Sequence, residues 1–299
     1  MSRLSAIWSM TCRRNRLKFP SNDKMTPRHL IVWDLETIPD LAAAARIHGA
    51  EEANEGQARE VLGDKFPKLP LHKIVCIGAL IAEWQDHSWQ VRSLGAPHIG
   101  ERSEIELIAS FVEKIAELRP QLVTYNGNSF DLPVLRYRAM VNRVSAPGLH
   151  ARGYFRRYTD DAIDLCDVLS SFDARSKVSL NDLCRILALP GKPDGMDGSQ
   201  VERYVNEGRI AEVSAYCETD VVNTYRAFLI HELFAGRLTH ETHDTSEDDL
   251  RHYLSTRMSA KAHYSSLIES RASMDRSTNT PPDAGNGRIG VPSPESSSA

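Results

Sequence analysis

The stretch that decides the fold is His29-Leu-Ile-Val-Trp-Asp34-Leu-Glu36-Thr37, near the start of a 299-residue chain. Its first five residues form a mostly apolar, β-branched run, which is typical of a strand buried in the centre of a sheet. Residues i and i+2 of a strand point the same way, so Asp34 and Glu36 present two carboxylates on one face. The carboxyl ends of strands are where α/β sheets place their sites. Acidic residues also end strands without any function, so this pair needs support from elsewhere.

The pattern after this strand predicts an α/β sheet with helices on its faces. Residues 73–82 and 88–94 are predicted to form a hairpin of two strands, and residues 121–125 a fourth strand. Ser103 and Glu106 form a capping box at the start of an apolar helical stripe that ends before Pro120. Helices are predicted over residues 104–118, from about 132, and over 163–170, 179–188 and 209–235.

Composition divides the chain into three parts. Residues 1–27 form a basic extension with no clear periodicity, predicted to be poorly ordered, with an organellar transit peptide or a true start at Met25 as alternatives. Residues 28–237 carry the strand and helix patterns and are predicted to be the working domain. Residues 238–299 are polar and end in a stretch rich in Ser, Pro and Gly, so a largely disordered tail is expected.

The content of the chain excludes several classes of protein. With 41% apolar residues it can build a core, yet no apolar run approaches the roughly 18 residues of a membrane span. Its five cysteines are odd in number and include no CxxC pair, which indicates reduced thiols in a cytoplasmic protein. Residues 1–28 hold seven Lys or Arg and one Asp, so the rest of a chain of net charge −4 is acidic. An acidic body that binds phosphates needs a local basic rim or bound cations.

Two further acidic motifs follow the first. Asn126-Gly-Asn-Ser-Phe130-Asp131 joins the fourth strand to the next helix. Asp131 fits the N-cap of that helix, or a carboxylate that reaches the same cavity as the first strand's end. Tyr216-Cys-Glu-Thr-Asp220 lies in a long helix, where positions i and i+4 share a face beside the apolar stripe. A buried carboxylate there needs a cation, whereas a partly exposed Asp220 would not.

The order and spacing of these three motifs resemble those of the DEDD superfamily of 3′ to 5′ exonucleases, in its tyrosine-bearing subgroup. The Asn126 to Asp131 motif is most similar to the proofreading domains of family B DNA polymerases. The stretch from Gly191 to Gln200, followed by the Tyr216 to Asp220 motif, is similar to a family of free-standing predicted exonucleases related to that domain. The resemblance implies a ribonuclease H-like mixed sheet flanked by helices, with the exonuclease domain at residues 28–237.

The resemblance also implies hydrolysis with two Mg²⁺ or Mn²⁺ ions. In the family's pattern Asp34 bridges both cations, Glu36 and Asp220 complete the shell of the first, and Asp131 holds the second through water. Tyr216 orients the attacking water, since a phenol with a pKa near 10 is a poor base. Cations also reconcile an acidic protein with a phosphate substrate.

Contacts to the substrate are carried over from the resemblance too. Leu35 would wedge against the terminal base, the Thr37 backbone would reach the 3′ hydroxyl, and Phe130 would stack on a base; Asn126 is assigned to the same group. Ordinary core packing is the alternative for Leu35 and Phe130.

Two other polar residues are open to simpler readings. Asp164, near a helix start, is better explained as a cap than as a ligand. Lys192 fits either a phosphate contact or a solvated loop.

The expected partner is nucleic acid, with the 3′ end of single-stranded DNA favoured, and no membrane. An exoribonuclease uses the same carboxylates, and discrimination rests on the 2′ hydroxyl, which no motif reports. A non-catalytic nucleic-acid-binding module is the second alternative, although all four carboxylates and the tyrosine are present. A nucleotide-binding signalling protein has no support, because the chain lacks GxxxxGK[ST] and GxGxxG.

Overall fold

The computed structural model describes residues 28–49, 55–63, 66–191 and 196–269. The strands are β1 His29–Pro39, β2 His72–Gln85, β3 Ser88–Gly95, β4 Gln121–Thr124 and β5 Ala162–Asp164. The helices are α1 Leu41–His48, α2 Glu55–Leu62, α3 Glu104–Leu118, α4 Asp131–Val141, α5 Leu165–Leu169, α6 Leu180–Ile186, α7 Val201–Asn206, α8 Ile210–Phe234, α9 His240–Ser255 and α10 Tyr264–Glu269.

The strands form one mixed sheet in the order β3-β2-β1-β4-β5. β2 runs antiparallel to its neighbours β1 and β3, whereas β1, β4 and β5 run parallel. The central strand is therefore β1, and its carboxyl end lies at the same edge as those of β4 and β5. A mixed sheet of this topology with flanking helices confirms the predicted ribonuclease H-like fold.

Alternate residues of β1 build the two layers of the core. Leu30 and Val32 pack on one face with apolar residues of α8, and Ile31, Trp33 and Leu35 pack on the other with α3 and α4. Both faces of this strand are buried, which is why its sequence is a continuous apolar run rather than an alternating one. The predicted capping box is confirmed: Ser103 accepts from the Glu106 N–H at the start of α3.

One predicted helix begins later in the structure than expected. The helix expected over residues 163–170 begins only at Leu165, because residues 162–164 pair with β4 as a strand. Three residues are too few to show a strand period.

Within the described residues, no helix is both long and apolar enough to span a bilayer. Cys76, Cys166, Cys184 and Cys217 are buried free thiols, and Cys12 lies outside the described residues.

The predicted domain boundary at residue 237 is corrected by helices α9 and α10. Leu250 and Leu254 of α9 and Leu267 of α10 are fully buried in the same cluster as the sheet and α8. The folded part therefore continues to Glu269, well into the segment expected to be a disordered tail. Residues 1–27 and 270–299, for which disorder was predicted, lie outside the described residues.

Helix α9 covers the edge of the sheet with polar side chains. Ser246, Asp249 and Tyr253 accept hydrogen bonds from the backbone N–H groups of Trp89, Val91 and Leu94, at 3.0, 2.7 and 3.0 Å. These N–H groups belong to β3, an edge strand whose free donors would otherwise be open to pairing with another chain. The polar side chains of α9, whose composition predicted a disordered tail, are the groups that bind the free donors of β3.

Removal of residues 239–299 is expected to prevent cooperative folding. Arg226 of α8 pairs with Glu247 at 2.8 Å and donates to the Leu267 carbonyl at 2.6 Å, and buried Glu218 contacts Lys261 and His263. Leaving a buried charge without its partner costs about 3–5 kcal/mol, against a total stability of about 5–15 kcal/mol. Soluble yield and urea unfolding measure the effect.

The matched control is a chain that ends after residue 269, which keeps all these contacts and is expected to fold normally. A chain ending at residue 238 that unfolds cooperatively with the full-length midpoint would contradict the assignment of α9 and α10 to the core.

Candidate active site

A cavity of about 820 Å³ opens at the carboxyl ends of β1 and β4. Every residue that the sequence predicted for the site lines it: Asp34, Leu35, Glu36, Thr37, Asn126, Phe130, Asp131, Tyr216 and Asp220. Three segments more than 80 residues apart along the chain thus meet in one place. Neither core packing nor helix capping alone requires this convergence.

The first carboxylate pair lies where β1 continues past its pairing with β4. β1 pairs with β4 only at residues 30–32, so Asp34 and Glu36 extend into the cavity beyond that ladder. A bulge between Glu36 and Thr37 shifts the register of β1 against β2. Glu36 is buried and Asp34 half-buried, and their ligand atoms lie within 4.8 Å of each other and of the Cys217 sulfur.

The loop after β4 is shaped by Asn126 and Asp164. Asn126 adopts a left-handed backbone conformation (φ 69°), which asparagine tolerates better than most residues. The Asp164 carboxylate accepts from the N–H groups of Asn126 and Asn128, at 2.7 and 2.9 Å, and also from the first turn of α5. Asp164 is therefore a cap, as predicted, and it also holds the loop that ends in Asp131.

Asp131 joins the second motif to the first. It is the first residue of α4 rather than its N-cap, and its Oδ1 accepts from the backbone N–H of Leu35 at 3.0 Å. Burial raises the pKa of Asp131 well above the usual range for an aspartate, and the negative charge of Asp164 adds to that rise. The carboxylate thus occupies a place where negative charge is disfavoured without a cation.

Tyr216 and Asp220 face the cavity from α8. Both are buried, one turn apart, so the alternative of a partly exposed Asp220 is wrong. Burial raises the pKa of Tyr216 well above its ordinary value, and the charges of Asp220, Glu36 and Asp34 raise it further. Tyr216 therefore keeps its proton and acts as a hydrogen-bond donor among three carboxylates.

Cys217 lies beside these carboxylates. A hydrogen bond with Cys76 and burial together raise the pKa of its thiol well above the ordinary value. The sulfur contacts Asp34 Oδ2 at 3.8 Å as a neutral thiol.

Aromatic rings form one wall of the cavity, and two of them were missed by the sequence analysis. His72 lies 4.9 Å from both Phe130 and Phe66, measured between ring centroids. Its Nε2 donates to the Pro67 carbonyl at 3.1 Å, and its Nδ1 therefore accepts from the Thr37 hydroxyl at 2.9 Å. Burial lowers the pKa of His72, which favours this neutral tautomer. Phe66 is 75% exposed at the rim of the cavity.

Lys177 places a positively charged side chain in the wall of this cavity, and no sequence motif predicted it. Its Nζ contacts Asn126 Oδ1 at 2.9 Å, Ser129 Oγ at 3.2 Å and Asp167 Oδ1 at 2.8 Å. These partners are 10 to 51 positions away along the chain, so no local pattern marks the lysine. Lys192, the predicted candidate for phosphate contact, lies outside the described residues.

Residues 64–270 match the model of a family described as "Predicted 3'-5' exonuclease related to the exonuclease domain of PolB". The chain belongs to this family. The match covers the second and third acidic motifs and continues through α9 and α10, in agreement with their place in the fold. It begins after β1, so the placement of Asp34 and Glu36 rests on the geometry of the cavity.

Solved structures of exonuclease I are also similar to this chain. E. coli exonuclease I in complex with a 5cy-dT13 oligonucleotide has 13% identity and a TM-score of 0.37, over 78% of this chain and 43% of that one. A product-bound exonuclease I has 13% identity and a TM-score of 0.35, over 70% of this chain and 48% of that one. An ExoI/SSB-Ct complex has 14% identity and a TM-score of 0.32, over 70% of this chain and 46% of that one. The chain spans less than half the length of these structures. Comparison with curated proteins gives no match.

The carboxylates that line this cavity fit hard divalent cations. Asp34, Glu36, Asp131 and Asp220 supply only carboxylate oxygens, the ligands that Mg²⁺ and Mn²⁺ prefer. Three of the four are at least 93% buried, and a buried cluster of negative charge is stabilised by a cation. The neutral thiol of Cys217 does not change this preference, because a thiol binds metal as the thiolate.

Gly127→Ala is expected to destabilise the protein by about 1–3 kcal/mol, as overpacking of a core does. An added Cβ would lie 2.5 Å from the Cβ of Thr124, a buried residue of β4 that cannot rotate away. The unfolding midpoint in urea measures the change. Gly95→Ala is the control, since an added Cβ there has no neighbour within 4 Å. Equal midpoints for the two variants would show that the loop after β4 is looser than the structure indicates.

Proposed function

We propose that this protein is a 3′ to 5′ exonuclease that removes 5′-mononucleotides from single-stranded DNA with two Mg²⁺ or Mn²⁺ ions. The observation that carries the proposal is the convergence of all nine predicted residues on one cavity. Membership of a family of predicted 3′-5′ exonucleases supports the reaction class, and that family's relation to the exonuclease domain of PolB favours DNA over RNA.

The chain's own residues have separate tasks in this proposal. Asp34, Glu36, Asp131 and Asp220 would hold the cations, which, when bound, would activate water and neutralise the phosphate. The hydroxyl of protonated Tyr216 would form a hydrogen bond with the attacking water and orient it. Attack forms a new bond from water to phosphorus and breaks the bond from phosphorus to the 3′ oxygen of the preceding nucleotide.

The terminal nucleotide would be held opposite the carboxylates. Leu35 lies between the two acidic residues of β1 and Thr37 follows them. The hydrogen bond from the Thr37 hydroxyl to His72 fixes the Thr37 side chain. Phe130 supplies an apolar wall for the base, with exposed Phe66 beside it at 5.8 Å between centroids. Asn126 would reach the phosphate together with Lys177, to which it is hydrogen-bonded.

The depth of the cavity favours a single strand. Glu36, Asp131 and Asp220 are 7%, 4% and 7% exposed, so a phosphodiester must enter the cavity to reach them. The end of a duplex would have to unpair first, at a cost of a few kcal/mol for the terminal bases. A free 3′ end avoids this cost.

The experiment is digestion of 5′-labelled and 3′-labelled strands of DNA and RNA with Mg²⁺, Mn²⁺ or EDTA. A ladder from the 5′-labelled DNA, early release of a labelled mononucleotide from the 3′-labelled DNA and no reaction in EDTA are expected. Faster digestion of RNA would replace the DNA assignment by an exoribonuclease. Binding without cleavage under every metal condition would leave a non-catalytic nucleic-acid-binding module.

A further inference from the structure

A second cavity, of about 390 Å³, adjoins the first at the start of α4. We call it the arginine groove; it is lined by Arg136 of α4, Arg156 and Arg157 before β5, and Phe172 after α5, among others. Ser129 and Lys177 line both cavities, so the groove is continuous with the candidate active site.

The groove concentrates positive charge in a chain of net charge −4. Arg136, Arg156 and Arg157 are exposed, and within the described residues none of them forms an ion pair or a hydrogen bond through its side chain. Asp167 is the carboxylate of the lining, and Lys177 already pairs with it at 2.8 Å. Three guanidinium groups around one cavity favour an anionic ligand with several charges.

Aromatic rings accompany these cations. Arg157 lies 5.2 Å from the ring centroid of Tyr158 and 5.3 Å from that of Phe172, and the two rings are 4.5 Å apart. Arg136 lies 4.9 Å from the Phe155 ring. Tyr158 is 72% exposed, so its ring is open to a planar ligand. Cations interleaved with open aromatic faces are the surface that binds the phosphates and bases of a single strand.

Two of these aromatic residues have an uncommon backbone conformation. Tyr158 and Phe172 both have left-handed backbones, at φ 62° and 61°. This conformation costs roughly 1–2 kcal/mol in an ordinary residue, and the contact between the exposed ring of Tyr158 and the half-buried ring of Phe172 returns about 0.5–1.5 kcal/mol.

We propose that the arginine groove binds the nucleotides directly upstream of the one being removed, on the 5′ side of a single DNA strand. This inference rests on the proposed function, which places the 3′ terminal nucleotide in the first cavity. The strand would leave that cavity past Lys177 and Ser129, with its phosphates against Arg136 and Arg157 and a base on Tyr158. The groove thereby gives the exonuclease its hold on a strand longer than the dinucleotide that the chemistry needs.

The test measures binding and hydrolysis separately. Fluorescence anisotropy in EDTA gives the affinity for an oligothymidylate of about ten nucleotides, within the site sizes usual for single-strand binders. For the double variant Arg136→Ala/Arg157→Ala we expect about tenfold weaker binding. The slope of the logarithm of the binding constant against the logarithm of the salt concentration should become less steep by about 0.7 for each lost phosphate contact. With Mn²⁺ present, hydrolysis of a dinucleotide should be unchanged, because a dinucleotide does not reach the groove.

Two controls separate the groove from general charge. Arg257→Ala removes an arginine stacked 3.8 Å from the Tyr253 ring on α9, beside the opposite edge of the sheet, and should leave binding unchanged. Tyr158→Ala should weaken binding of the oligothymidylate but not of an abasic strand of the same length, since the abasic strand has the phosphates without the bases.

Unaltered oligomer affinity in the double arginine variant would overturn the groove proposal, whether or not the protein hydrolyses DNA. A wild-type protein that never hydrolyses DNA, yet binds it through these arginines, would overturn the proposed function and leave the groove as a nucleic-acid site. The same tenfold loss in Arg257→Ala would show non-specific charge attraction and overturn the groove as well.

Discussion

Asp34→Ala is expected to lower the turnover rate at least about a thousandfold, or about 4 kcal/mol in activation free energy, while the protein stays folded. Asp34 lies on the central strand just beyond its pairing with β4 and contributes to the negative charge that converges on Tyr216. Asp34 would help to hold the cations, and a metal ligand stabilises the charge of the transition state more than it stabilises the resting chain. Its removal also relieves repulsion with Glu36, so the unfolding midpoint in EDTA should not fall.

The measurement is the steady-state rate on single-stranded DNA at saturating Mn²⁺, together with urea unfolding of the same preparation. Glu113→Ala, which removes an exposed carboxylate from α3, is the matched control and should keep full activity. An Asp34→Ala variant that retains more than about a tenth of the wild-type rate has lost less than about 1.4 kcal/mol, and Asp34 is then not a bridging ligand.

The centre of the fold was predictable because its signals are local. A strand buried on both faces is a continuous apolar run, and the capping box at Ser103 marks the start of α3. The candidate site was predictable for a related reason. Each motif follows or lies on an element whose type the sequence indicates, and the parallel pairing of β1 with β4 brings the ends of those strands together.

The contacts that the sequence could not reveal are long-range. Lys177 reaches Asn126 across 51 positions, and His72 reaches Thr37 across 35. Neither residue stands in a pattern that differs from a solvated lysine or a core histidine. Only the folded chain shows that both border the same cavity.

The error at residue 237 has a specific physical cause. Composition predicts disorder when a segment has too little apolar surface to offset its ordering entropy. Helix α9 contributes few apolar residues, but Ser246, Asp249 and Tyr253 accept from an edge strand and Glu247 pairs with a buried arginine. The strand that these side chains bind lies more than 150 positions away along the chain, so composition alone cannot predict the contacts.

Tyr216→Phe and Asp220→Asn are expected to fail in different ways. Phenylalanine keeps the buried ring of Tyr216 and removes only the hydroxyl that would orient the attacking water. The turnover rate should fall by roughly a hundredfold, and the affinity for Mn²⁺ should change little. Asparagine at position 220 keeps the shape and removes a charge from the metal site. Its apparent affinity for Mn²⁺ should fall at least tenfold, and raising Mn²⁺ should restore part of the activity.

The contrast needs a metal titration because the two side chains are not independent. The phenol of Tyr216 is hydrogen-bonded to Asp220, so either substitution disturbs the other residue. Loss of the hydrogen bond to the nucleophile raises only the energy of the transition state, so the rate stays low at saturating Mn²⁺. Loss of a metal ligand weakens Mn²⁺ binding already in the ground state, so a higher Mn²⁺ concentration restores part of the rate by mass action. Rates measured across Mn²⁺ concentrations, with direct Mn²⁺ binding to each variant, separate the two roles. Full turnover of Tyr216→Phe at saturating Mn²⁺ would make Tyr216 a packing residue of α8 and remove the tyrosine from the mechanism.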